Sequence, residues 1–134
     1  MSFEAEWREE LDRWRLLLVL DPGWEIHYVA DPTLRDCRAE TLTEPANRIA
    51  TVRFNPMLPP LERTPPHEML HIVISSLEVA ARQALPLLTN EARQLYENRL
   101  DAAVEETVER LLNAIHAVQQ ETPERIAKTD GCND

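Results

Sequence analysis

His67-Glu68-Met69-Leu70-His71 opens an apolar run that continues Ile72-Val73-Ile74. On a helix, residues four apart lie one turn apart on the same face. His67 and His71 would then point the same way and could grip one metal ion. Glu68, about 100° further round, would stand near the open side of that ion and could take a proton from a water there. Shuffling this composition produces such an H-E-x-x-H pattern in roughly one or two sequences per hundred, so it carries information.

The surrounding residues read as a helix. Thr64 can cap it, with Pro65 and Pro66 in the first turn, where a missing N–H costs little. The segment is apolar nearly all round between 69 and 74, the pattern of a buried central helix running to about Gln83. Residues 84–88, with Pro86, break it. Thr89 or Asn90 caps a second long helix to about Gln120. Its stripe is Leu95, Arg99/Leu100, Val104, Val108, Leu111, Leu112, Ile115 and Val118.

Upstream, residues 3–20 repeat Phe3, Trp7, Leu11, Trp14, Leu17 and Leu18 at three- and four-residue steps, an amphipathic helix anchored by two tryptophans. Glu4, Glu6, Glu9 and Glu10 crowd its start, where the helix dipole favours acids, and Asp21-Pro22-Gly23 stops it. Trp24–Val29 alternates as a strand, with Trp24, Ile26 and Tyr28 on one face. Residues 37–44 form a weaker strand with Cys37, Ala39, Thr41 and Thr43 on one side. Pro45-Ala46-Asn47 is a hairpin turn into a third strand over 48–55. The connections are too short for crossover helices, so the expected sheet is mainly antiparallel. A proline-rich extended stretch, 55–66, leads to the motif helix. The predicted fold is α+β: an N-terminal helix, a small three-stranded sheet, the H-E-x-x-H helix and a second long helix. It forms one domain over 1–120, followed by a polar, flexible tail over 121–134.

The 134 residues carry 24 acids against 14 bases, net charge −10, with no basic run. Nucleic acid and anionic membranes are therefore not expected partners. No stretch approaches 18 apolar residues and no basic n-region precedes 16–20, so neither a membrane span nor a signal peptide is expected. Cys37 and Cys132 are far apart in sequence and read as two free thiols in a reducing, cytoplasmic compartment.

Two histidines do not complete a catalytic zinc site, which takes three protein ligands and an open position. No third histidine follows in the H-E-x-x-H-x-x-G-x-x-H pattern. The third ligand is then a carboxylate on the following helix, where Glu97, Asp101, Glu105, Glu106 and Glu109 are available. Glu105 shares a side with the core positions Val108 and Leu112, so it is preferred. Glu106 and Asp101 are the alternatives, and Asp101 could instead accept a ligand histidine's N–H. His27 reads as a surface histidine, and His116 lies too far along the helix to share the metal. Nothing singles out Tyr28 or Tyr96 for a catalytic role.

The pieces Gly23-Trp24-Glu25-Ile26, residues 50–55, the H-E-x-x-H motif and residues 105–111 together resemble a minimal gluzincin-type zincin. They are similar to a group of small metallopeptidase-type proteins of phages and prophages, over roughly residues 5–115. That resemblance implies a Zn2+ ion held by His67, His71 and Glu105. It implies hydrolysis of peptide bonds by a zinc-activated water with Glu68 as general base, on a peptide or protein substrate laid along a sheet edge. The competing expectation is a catalytically silent zinc-binding domain that engages a partner protein.

Overall fold

The computed structural model describes residues 2–19 and 22–120. The elements follow as α1 (Phe3–Leu18), β1 (Glu25–Ala30), β2 (Ala39–Glu44), β3 (Ile49–Phe54), α2 (Thr64–Arg82), a 3-10 turn (Leu85–Leu87) and α3 (Asn90–Gln120). This is the α+β arrangement expected. The tail over 121–134 lies outside the described residues.

The sheet order is β1-β3-β2: β2 pairs antiparallel with β3, while β1 pairs parallel with it. The sheet is thus mixed, with one antiparallel and one parallel pairing. The short connections did not require β1 and β2 to be neighbours. The chain leaves β1, Asp31 N–H donates to the Phe54 carbonyl, and Arg38 offers its carbonyl to Asn55 N–H just before β2. The 31–38 segment therefore passes over the end of β3 and returns antiparallel to β1 without a crossover helix. The β2–β3 hairpin closes through Pro45–Arg48, with Arg48 in the left-handed region at φ 54.

The pleat sorts the side chains as the alternation predicts. Ala39, Ala50, Val52 and Phe54 are buried on the inner face, against Trp7, Leu11 and Trp14 of α1 and Met69 and Ile72 of α2. Trp7 stacks on Phe54 with ring centroids 5.4 Å apart, and its indole N–H donates to the Leu58 carbonyl at 2.8 Å, so its polar atom is satisfied inside the core. On the outer face Arg53 bridges Glu40, its direct cross-strand neighbour, and Asp31. A second cluster of Leu70, Val108 and Leu112 fastens α3 to α2.

Three local expectations change. The residue before α2's first turn is Arg63, and Thr64 is already helical; its hydroxyl makes no capping bond. The first α2 bond runs from His67 N–H to the Arg63 carbonyl, so Pro65 and Pro66 occupy positions whose N–H groups would have had no helical acceptor. Only the first half of α2 is central: residues 63–72 are buried, whereas Val73, Leu77 and Val79 face solvent. Helix α3 buries a narrower stripe, Val104, Val108, Leu112 and His116, leaving Leu95, Leu111 and Val118 of the predicted stripe exposed; Thr89 provides its cap, accepting from Ala92 N–H. Cys37 is disulfide-bonded rather than a free thiol. Distance along the chain carries no information on which sulfurs meet, and Cys132 lies outside the described residues. That bond removes the thiol argument for a reducing compartment. No helix of the described residues is long and apolar enough to cross a membrane.

Candidate metal centre

The site forms where the buried start of α2 meets the middle of α3, beside the edge strand β2. The two helices run antiparallel here: His71 meets Glu105, His67 meets Glu105 and Glu109, and Arg63 meets Glu109 and Asn113. Each helix contributes a stripe of four-residue steps, Arg63-His67-His71 against Asn113-Glu109-Glu105. Those steps place all six side chains on facing surfaces.

His67, His71 and Glu105 form a group that could hold a metal ion. The two Nε2 atoms are 3.3 Å apart. Glu105 places Oε2 3.5 Å from His67 Nε2 and Oε1 3.2 Å from His71 Nε2. Bonds of about 2.0–2.1 Å to one tetrahedral centre put ligand atoms about 3.3 Å from each other. The two Nε2 atoms have that spacing, each nitrogen has one oxygen of Glu105 at a similar distance, and one ligand atom from each of the three residues lies within 4.8 Å of the others.

The proton positions argue the same way. His67 Nδ1 lies 3.0 Å from Glu109 Oε1. Assigning the ring proton to Nδ1, where it donates to that carboxylate, leaves Nε2 as a lone pair aimed at the Glu105 carboxylate and at His71. A second proton on His67 would relieve this, but burial, then the nearby His71, lower its pKa against the opposing pull of Glu105 and Glu109. A His67 lone pair facing a carboxylate in a buried space is a position that a cation would satisfy. The residues present fit a metal ion of small radius.

Around this group the structure adds residues that the sequence reading did not assign. Glu109 appeared there only as a possible ligand; it instead orients His67 from the far side of the ring. Arg63 is 3% exposed and reaches Glu109 Oε2 at 2.7 Å and Asn113 Oδ1 at 2.8 Å. Thr41, buried on β2, donates its hydroxyl to Glu68 Oε1 at 2.8 Å. Glu68 itself is fully buried beside the two histidines. The four-residue spacing of Arg63 before His67, and of Glu109 after Glu105, was the available signal for two of these. Thr41 had none, because its role depends on where the sheet edge docks.

The alternatives for the third ligand are elsewhere. Asp101 pairs with Arg82 at 2.6 Å and does not accept from a motif histidine; Glu106 pairs with Arg110 at 2.6 Å on the exposed side of α3. His27 is exposed near Glu25, and His116 is buried against Trp14, its ring centroid 6.1 Å from the indole. Tyr28 donates to Asp12, and burial together with that carboxylate pushes its pKa up to about 12. Tyr96 donates to the Ala81 carbonyl. No family model, curated protein or solved structure matches the chain.

Proposed function

We propose that the protein is a zinc-dependent metallopeptidase of minimal gluzincin type. The observation that carries this reading is the pairing of a three-residue group that could hold a metal ion with a separate, fully buried glutamate, Glu68, next to it in sequence and held by Thr41. Two imidazoles with one carboxylate suit zinc, whereas Ca2+ and Mg2+ call for oxygen ligands. Three protein ligands are the number that catalytic zinc sites use.

In this reading His67 and His71 hold the ion through Nε2, and Glu105 holds it through its carboxylate. When bound, the ion supplies Lewis-acid activation of water and of the scissile carbonyl. Glu109 fixes the ring of His67 through Nδ1 and makes the other nitrogen a better donor. Glu68 accepts a proton from the attacking water and returns it to the departing amine. Thr41 keeps one carboxylate oxygen of Glu68 engaged, so the carboxylate is oriented before substrate arrives. Because β2 lies at the sheet's edge and its Thr41 touches Glu68, an extended peptide added along that edge would run beside the base.

Metal analysis of the purified protein and cleavage of a broad peptide library test this reading. The expected result is one zinc per chain and cleavage that Glu68→Gln abolishes while zinc is retained. No stoichiometric zinc would sink the metal reading. Stoichiometric zinc with an uncut library, or cleavage unchanged in Glu68→Gln, would sink the peptidase reading; the former would favour a zinc-holding partner-binding domain.

A further inference from the structure

Arg63 is an expensive residue where it stands. A guanidinium is rarely as buried as this, and a cation at the start of a helix opposes the dipole. Burying it demands partners, and it has them on α3. Glu109 Oε2 lies at 2.7 Å and Asn113 Oδ1 at 2.8 Å. Glu109 uses its other oxygen, Oε1, for His67 Nδ1 at 3.0 Å. One carboxylate thus joins the arginine to the histidine, oxygen by oxygen, and the same Arg63 Nη2 also donates to Asn113 one turn on, which holds it at the bridge.

Charge gives a second reason for the arginine. With a divalent ion in the group, Glu68, Glu105 and Glu109 supply three negative charges against two. Arg63 makes the buried assembly neutral, which a low-dielectric site favours. Without it, Glu109 carries an unbalanced charge and is free to leave His67 for water, since its side chain is about a third exposed.

We propose that Arg63 is a positioning residue for the metal centre, acting through Glu109 to hold His67 in its metal-binding orientation. This rests on the zinc reading above. It assigns the residue just before α2 a function that the H-E-x-x-H motif does not contain.

The test is a double-mutant cycle on zinc affinity, measured by competition with a chelating dye on the full chain. It is accompanied by the visible absorption of the Co2+-loaded protein, whose intensity reports tetrahedral coordination. Arg63→Met and Glu109→Gln should each weaken zinc binding by about tenfold to a hundredfold and dim or shift the Co2+ bands. Because Arg63 acts through Glu109, adding Arg63→Met to Glu109→Gln should cost no more than about a further twofold. Losses that multiply in the double variant overturn the proposal, because a merely structural arginine would weaken the site independently of Glu109. If Arg63→Met lowers the stability of the metal-free protein too far to titrate, Arg63→Lys replaces it, keeping the charge on a shorter side chain that does not place its nitrogen where Nη2 stands. A several-fold weaker affinity is then expected, and unchanged affinity overturns the assignment. Wild-type protein that takes up no zinc overturns the metal reading and this one together. Wild-type protein that binds zinc while Arg63→Met binds as tightly overturns this one alone.

Discussion

On the zinc reading, removing the metal should destabilise the fold, because the three ligands come from two helices that the ion would clamp together. α3 is joined to α2 through the small cluster of Leu70, Val108 and Leu112, through the polar seam of His67, His71 and Glu105, and through the flanking pairs Arg63–Glu109 and Arg82–Asp101. The perturbation is addition of a strong chelator at neutral pH. An ion that binds only the folded state at a free concentration a thousand times its Kd stabilises by about 4 kcal/mol. For 134 residues the unfolding entropy near 60 °C is about 0.28 kcal/mol/K, so the melting temperature should fall by about 15 °C. The assay is scanning calorimetry of zinc-loaded protein with and without chelator, then with zinc restored in excess. His71→Ala, which removes one ligand from α2, should show no chelator effect. Equal melting temperatures with and without chelator in a protein shown to contain zinc would refute the argument that the site ties α2 to α3. An equal shift in His71→Ala would show that the ion binds elsewhere.

Further outcomes follow from the same geometry. Glu105→Ala should weaken zinc binding by at least about a hundredfold, whereas Glu106→Ala and Asp101→Ala should leave it within about twofold, since those acids pair with Arg110 and Arg82; dye competition measures all three. The metal-free protein should lose stability as pH falls below about 6.5. His116 is held neutral by burial, with Arg63 adding to this and Glu62 opposing it, so the unfolded chain takes up the proton first. The contribution is full above the unfolded pKa and declines toward the lowered folded value, with a slope of at most about 1.4 kcal/mol per pH unit for this histidine. Denaturant melts of His116→Gln across pH 5–7 should show a shallower fall. Trp7→Ala should cost about 3–5 kcal/mol, because the ring is fully buried on Phe54 and its N–H leaves the Leu58 carbonyl unpaired. Leu77→Ala, 74% exposed, should change stability by no more than about 0.5 kcal/mol in the same urea titration.

What the sequence alone determined was periodicity and local chemistry. The three- and four-residue steps of Trp7, Leu11 and Trp14, the alternation of Ala50, Val52 and Phe54, and the four-residue spacing of His67 and His71 are properties of one helix or strand. They are legible because the backbone geometry of each element is nearly invariant. That Glu105 rather than Glu106 faces the motif histidines was legible for the same reason, since Val108 and Leu112 mark the inward side of α3. Tertiary structure decided everything that depends on which element lies beside which. Placing β3 between β1 and β2 required the 31–38 segment to cross a strand end, and no local propensity encodes that path. The exposure of Val73 and Leu77 followed from α2 outrunning the sheet that covers its first half. The contacts of Arg63 with Glu109 and of Thr41 with Glu68 join residues 46 and 27 positions apart. Such pairings arise only when the helices and the sheet edge pack, because a buried charge or hydroxyl takes the partner that packing brings to it.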